Sequence, residues 1–117
     1  FGFCEIPLTH LRYAMQHPVI DRDQEIEQAA LAIKAMAHPL RLKILCLLGN
    51  QELSVQDIVE HVGTTQSNIS QHLAILRDKD VLATRKEVNF VYYRINDPRT
   101  LKLVSLMREV FCTSLST

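Results

Sequence analysis

The chain has 117 residues, 47% of them hydrophobic and 22% charged, which is the length and composition of one globular domain. A domain of this size can bury a core that needs no disulfide or structural metal. Its strongest apolar run, from Ile44 to Leu48, is far shorter than the ~20 residues that cross a bilayer. These features exclude a chain that is disordered throughout and a membrane-spanning protein.

Cysteine use favours the cell interior. Cys4, Cys46 and Cys112 are odd in number and widely spaced, unlike the disulfide framework of a secreted protein. The first residues show no basic start followed by an apolar centre, the pattern of a signal peptide. We therefore expect a cytoplasmic protein whose thiols are initially reduced.

The formal charge is zero, so the overall balance gives no indication of a nucleic-acid partner. Its distribution is uneven, because residues 1–33 carry five acidic and two basic side chains, and residues 34–117 carry eight acidic and 11 basic. This asymmetry fits an acidic region beside a basic docking surface, and it also fits ordinary solvated faces. Charge alone leaves both interpretations open.

The first half of the chain predicts helices. A short helix is expected from Leu8 to Gln16, and helical spacing of apolar residues with an acidic first turn predicts a second from Asp23 to Ala37. Pro39 suits the first turn of a third helix, which runs to about Leu48. Because that third helix is apolar nearly all round, it should lie in the middle of the fold.

Two further helices follow with only a short turn between them. Ser54 and Asp57 resemble a capping box, with Asp in place of Glu, for a helix that ends at Gly63. Thr64 or Thr65 then caps a helix that ends near Lys79. This spacing predicts a helix-turn-helix.

The period of the pattern changes after this pair. The β-branched and aromatic runs Val81–Glu87 and Phe90–Ile95, separated by Val88-Asn89, predict a hairpin. Asp97-Pro98 then supplies the N-cap and first residue of a last helix. The fold class is therefore expected to be mainly α with a two-stranded β wing, a winged helix-turn-helix.

The helix over Thr65–Lys79 has one apolar stripe, formed by Ile69, Leu73 and Leu76, which should face the core. The opposite face carries short polar groups that fit a major groove, since Gln and Asn bond adenine edges and Ser reaches base or phosphate. The alternative is that these groups only solvate a surface helix. The side chains predicted to contact DNA from this helix are Gln66, Ser67, Asn68, Ser70 and Gln71.

Basic residues on the predicted hairpin support a DNA partner. Arg85, Lys86 and Arg94 are suited to the phosphate backbone or the minor groove. His72 projects about 60° from the core stripe, which favours a half-buried packing role over a base contact and leaves both open. No glycine-rich phosphate loop, Cys-x-x-Cys, Gly-x-Ser-x-Gly or His-Glu-x-x-His motif occurs, so we expect neither an enzyme nor a cofactor.

The segments 52–58, 65–77, 84–87 and 91–95 resemble those of the ArsR-type winged-helix repressors, and the resemblance extends from about residue 26 to the C-terminus. It implies a homodimer, built mainly from the first and last helices, on an inverted-repeat operator in double-stranded DNA. Residues 23–117 would then form the DNA-binding and dimerisation domain. Residues 1–22 would be an N-terminal extension or an extra short helix.

The metal sites of that family are absent from this sequence. The metalloid and cadmium sensors carry two cysteines where this chain has Ser54 and Gln56, which cannot supply the thiolates that soft metals require. The zinc sensors carry histidine-bearing motifs at the last helix, where this chain has Asp97-Pro98-Arg99. We therefore predict no metal site of either type.

Cys46 and Cys112, each taken alone, are best interpreted as small buried apolar residues. Their context and separation are, however, similar to those of the thiol redox and persulfide-sensing branch called SqrR, BigR and HlyU. That resemblance implies neighbouring thiols that react with persulfide, polysulfide or oxidants. The product would be a disulfide or sulfur-bridged link that lowers operator affinity.

Two alternatives to a thiol-responsive repressor stay open. One is a metal- or metalloid-responsive repressor with a non-standard site built from Cys46, Cys112 and Cys4. The other is a winged-helix module that binds proteins and never meets DNA. Metal titration against operator binding separates the first, and salt dependence of DNA binding separates the second.

Overall fold

The computed structural model describes residues 19–112, which divide into two compact units between Leu31 and Ala32. The predicted helix from Leu8 to Gln16 and the thiol of Cys4 lie outside the described residues. The elements in chain order are α1 (Val19–Met36), α2 (Pro39–Leu48), β1 (Leu53–Ser54), α3 (Val55–Val62), α4 (Gln66–Asp78), β2 (Leu82–Glu87), β3 (Phe90–Ile95) and α5 (Pro98–Cys112).

Helix α2 lies at the centre of the second unit, as its nearly all-apolar sequence predicted. Its Ile44, Leu45 and Leu48 are fully buried. The helix begins at Pro39, and the Nδ1 atom of the preceding residue, His38, accepts a hydrogen bond from the Leu40 N–H at 3.1 Å. A histidine therefore acts as the N-cap here.

The helix-turn-helix consists of α3 and α4, and capping side chains fix both helix starts. Ser54 Oγ accepts the Asp57 N–H at 3.2 Å, and Asp57 Oδ2 accepts the Ser54 N–H at 3.1 Å, which completes the predicted capping box. Gly63 ends α3 in the left-handed conformation, with φ of 80°. Thr65, rather than Thr64, caps α4.

The β wing is confirmed, and the sheet has one strand more than the two predicted. Strand β3 pairs antiparallel with β2 from Leu82↔Ile95 to Glu87↔Phe90. It also pairs with β1, through Leu53↔Tyr93 and the next residue pair. Two residues are too few to show the alternation that marks a strand in a sequence, so β1 was not predictable.

The core lies between α2, α3, α4, the base of the hairpin and α5. Its fully or nearly fully buried side chains include those of the predicted stripe on α4 together with Val81, Leu82 and Val104. This packing turns the other face of α4 outward, next to the wing, and sets α5 against α2. None of the helices in the described part of the chain is long and apolar enough to cross a membrane.

Candidate nucleic-acid interface and thiol pair

Helix α4 presents an exposed polar face. Ile69, Leu73 and Leu76 are fully buried, so the predicted core stripe is confirmed. The side chains on the outer face are short, and none carries an acidic group that would repel phosphate. Those that the structure leaves exposed on or beside this face are Gln66, Ser67, Ser70 and Gln71.

Asn68 occupies a different environment from the other predicted contact residues of α4. It is half-buried, and its Nδ2 donates a hydrogen bond to Thr64 Oγ1 at 3.2 Å. Its backbone N–H donates to Thr65 Oγ1, also at 3.2 Å. The Asn68 amide therefore takes part in the turn that starts the helix, which limits its freedom to bond a base.

Arg85 is held in place on the wing. Its guanidinium contacts the Glu52 carboxylate, with the Nη2 to Oε1 distance at 3.1 Å, and donates to Glu87 Oε2 at 2.6 Å. It also lies over the Tyr92 ring, 4.8 Å from the centroid. Hydrogen bonds from Glu52 and then Glu87 raise the pKa of Arg85 above its ordinary value. The two carboxylates also offset the positive charge that Arg85 offers to a phosphate.

The three predicted basic contacts do not share one surface. Lys86 is exposed and follows Arg85 in the strand, so the two side chains project from opposite faces of the ribbon. Arg94 lies on the Tyr92 face, near the base of the ribbon, where it lines a cleft of about 290 Å³ with residues 49–52 and the start of α5. The wing tip itself carries Val88, which is 96% exposed.

The structure brings the two predicted sensing cysteines to the same region. Cys46 is half-buried on α2 and packs against the core, Cys112 is half-buried at the end of α5, and both are free thiols. Helices α2 and α5 are in contact. The two sulfurs are close enough that the Cys112 charge raises the pKa of Cys46.

Arg108 is a neighbour of this thiol pair that the sequence interpretation missed. Burial is the largest effect and raises the pKa of the Cys46 thiol, the Arg108 charge lowers it, and Cys112 raises it again. Arg108 lies four residues before Cys112, so both side chains fall on the same face of α5. That spacing could have indicated the cation from the sequence.

His72 has the packing role that the sequence favoured. Its ring is half-buried on α4, and its centroid lies 4.6 Å from that of His38. The Arg41 guanidinium Nη1 lies 3.1 Å from His72 Nδ1. These contacts join residues 31 or more positions apart in the chain, so no local periodicity could have predicted them.

An apolar groove runs between the end of α1, α2 and α5. Its volume is about 250 Å³, and it is lined by Ile33, Met36, Ala37, Leu42, Leu103, Val104 and Met107. Helix α5 also exposes large apolar side chains, among them Leu106 at 56% and Phe111 at 77%. Within residues 19–112, no three His, Cys, Asp or Glu side chains are grouped as metal ligands.

A helix-turn-helix with a polar outer helix face and a β wing defines a winged-helix DNA-binding regulator. The arsR family of bacterial regulatory proteins matches residues 38–83. The Biofilm growth-associated repressor of Xylella fastidiosa is 30% identical over 93 residues, which cover 80% of this chain and 82% of that protein. The chain belongs to the ArsR family, and its relatives are transcriptional regulators.

Two further relatives describe the branch and the fold. The Transcriptional activator HlyU of Vibrio cholerae is 38% identical over 93 residues, covering 76% of this chain and 86% of that one. The solved structure of reduced HlyU from Vibrio cholerae is similar to this chain, with a TM-score of 0.71 and 35% sequence identity. The match covers 79% of this chain and 97% of that chain. A homodimeric winged helix-turn-helix DNA-binding domain from Mycobacterium bovis has a TM-score of 0.71 at 30% identity, covering 76% and 82%.

Proposed function

We propose that the protein is a homodimeric, cytoplasmic repressor that binds an inverted-repeat operator and releases it when Cys46 and Cys112 become covalently linked. The observation that carries the proposal is the placement of these two half-buried thiols on two contacting helices of one subunit, near enough that the charge of Cys112 raises the pKa of Cys46. The proposed inducer is a persulfide or polysulfide, because its sulfane sulfur reacts with thiolates. Other oxidants could make the same link.

The DNA contacts are assigned to the outer face of α4 and to the wing. On α4 the exposed polar side chains can bond base edges, and Asn68 stiffens the start of the helix. On the wing, exposed Lys86 can reach phosphate directly, whereas Arg85 must first exchange Glu52 and Glu87 for phosphate. Arg94, at the base of the β ribbon, is proposed to contact the phosphate backbone of the DNA beside the groove that α4 enters.

The homodimer is assigned to α5 and the end of α1. Leu106, Val110 and Phe111 are exposed near an apolar groove, and apolar side chains clustered on a surface in this way are typical of a protein–protein contact. A second copy would cover the same patch on each subunit, as a two-fold interface requires. The homodimeric domain from Mycobacterium bovis supports this assignment.

The linking reaction balances with one persulfide per subunit. A protein thiolate attacks the sulfane sulfur of an organic persulfide, so that the organic thiol leaves and the protein holds a persulfide. The second thiolate attacks the sulfur bonded to carbon, the protein S–S bond forms, and hydrosulfide leaves. Two thiols are oxidised, and the sulfane sulfur is reduced to hydrogen sulfide. A second persulfide acting as oxidant would instead retain the extra sulfur as a trisulfide.

The test measures duplex binding by the full chain before and after treatment with glutathione persulfide. We expect treatment to lower the affinity of the wild-type chain for its operator by roughly five- to 150-fold, the usual range of coupling between two sites. Cys46→Ser and Cys112→Ser should bind DNA normally and fail to release it. Peptide-resolved mass spectrometry should locate the link between these two cysteines.

Cys4→Ser is the matched control, and it should release DNA like the wild type. Release that persists in both Cys46→Ser and Cys112→Ser would reject the pair. Release by Zn(II), Cd(II) or As(III) instead of persulfide would favour a metal or metalloid sensor with a non-standard cysteine site. DNA binding that does not weaken with added salt would reject the DNA assignment itself.

A further inference from the structure

A cluster of two histidines and an arginine joins α4, the proposed recognition helix, to the rest of the domain. His38 caps α2, Arg41 lies in its first turn, and His72 reaches them from the middle of α4. The Arg41 Nε also donates a hydrogen bond to the carbonyl of Ala35, in the last turn of α1. Arg41 therefore ties the end of α1 to α4 across the start of α2.

The hydrogen bonds define the protonation state of His72. A guanidinium has five donors and no acceptor, so the His72 Nδ1 that faces Arg41 at 3.1 Å must accept, and the ring proton lies on Nε2. His38 Nδ1 likewise accepts, from the Leu40 N–H. The Nδ1 atoms of both imidazoles therefore accept hydrogen bonds and carry no proton.

The surroundings disfavour a second proton on His72. Burial is the largest effect, followed by the charges of His38 and Arg41, and all three lower the pKa of His72 below its ordinary value. On the other elements packed on α4, His61 and Arg85 are engaged in contacts of their own. On α3, His61 Nδ1 donates to the Asp57 carbonyl at 2.8 Å, and on β2 Arg85 is bound by Glu52 and Glu87.

We propose that His38 and Arg41 are positioning residues that hold the recognition helix in its reading orientation through neutral His72, so that acid weakens operator binding independently of the thiols. A proton on Nδ1 would replace the Arg41 hydrogen bond by repulsion between two cations. Helix α4 would then lose its hydrogen bond to Arg41 on α2, and with it the connection through Arg41 to the Ala35 carbonyl at the end of α1. The inference rests on the proposed DNA binding and needs no sulfur chemistry.

The test is a pH profile of DNA affinity with all thiols kept reduced. The probe is a labelled duplex that the protein itself selects from random-sequence DNA, with a scrambled duplex of equal length alongside. The ratio of the two affinities is the readout, because a protonated histidine strengthens non-specific attraction to any duplex. Because the pKa of His72 lies below its ordinary value, one proton changes this ratio by less than about tenfold at about pH 5.5, and we expect a fall of about threefold in the wild type between about pH 7.5 and about pH 5.5.

His72→Gln should abolish most of this pH dependence. Its amide oxygen can accept from Arg41 but does not titrate, so the ratio should change less than about twofold over the same range. His61→Gln, which removes the imidazole of the neighbouring helix, should retain the wild-type profile. Arg41→Met, which keeps an apolar stem and removes the donor, should lower the ratio already at the upper pH.

Two results would overturn the proposal. One is a His72→Gln profile that follows the wild type, and the other is a wild-type profile that is flat. Thermal melts at both pH values show whether each variant is folded. If His72→Gln is unfolded, His72→Asn takes its place in the comparison. Failure to select any duplex whose binding weakens with salt would reject DNA binding itself, and so is distinct from failure of this inference.

Discussion

At the scale of single residues, the reactivity of the thiol pair depends on the charges around Cys46. Burial keeps this thiol protonated to a higher pH than usual, and Arg108 counteracts burial. Because the thiolate is the nucleophile, the rate of reaction should rise with pH until the pH passes the raised pKa. By lowering the pKa of Cys46, the Arg108 charge should increase the fraction of thiolate at a given pH.

Replacing Arg108 by Gln should raise the pKa of Cys46 further and slow its reaction. We expect the alkylation rate of Cys46 by iodoacetamide near neutral pH to fall about threefold, with the whole rate profile moved to higher pH. Peptide-resolved mass spectrometry separates Cys46 from the other thiols. Lys102→Gln, which removes another cation from α5, should leave the rate unchanged, and an equal slowing in both variants would contradict the role of Arg108.

At the scale of elements, α4 combines a buried apolar stripe with the exposed polar face that is proposed to contact DNA. Truncation of Gln71 or Ser67 to Ala removes an exposed polar group and no core contact, so stability should be unchanged within roughly 0.5 kcal/mol. Each variant should lose about 1–3 kcal/mol of discrimination for the selected duplex over a scrambled one. The measurement is fluorescence anisotropy with both duplexes.

Gln56→Ala on α3 is the matched control, since this exposed amide is not assigned to DNA. It should leave both duplex affinities at the wild-type level. Full affinity in both α4 variants would mean that DNA is read by a different face or a different element.

Features that repeat along the chain were predictable, and features that depend on distant residues were not. The helical spacing of apolar residues predicted the buried stripe of α4, and Ser54 with Asp57 predicted the start of α3. The tie between Arg41 and His72 has no local pattern, because it forms only when α2 and α4 pack. The Glu52 to Arg85 ion pair escaped prediction for the same reason.

At the scale of the whole molecule, the exposed apolar side of α5 needs a partner. Leu106→Asp should leave the single-chain fold intact, because this side chain lies outside the core, and should prevent two copies from associating. Loss of the second reading helix should then lower affinity for an inverted repeat by about 10²–10⁴-fold. Analytical ultracentrifugation and duplex titration of the same samples test both effects.

Ser105→Asp is the control, since it adds the same charge to the exposed polar side of α5. It should remain dimeric and bind the repeat with little change. A Leu106→Asp chain that still sediments as a dimer would show that another surface joins the subunits.

The short helix α2 carries both Cys46 and the arginine that contacts α4. The helix has ten residues, and Cys46 lies five positions after Arg41, about 7.5 Å along the axis at 1.5 Å per residue. The proposed site of sulfur chemistry and the arginine that contacts α4 therefore lie on one helix, less than two turns apart. No loop separates the two positions, so any displacement of α2 at Cys46 would be carried to Arg41 by continuous helix.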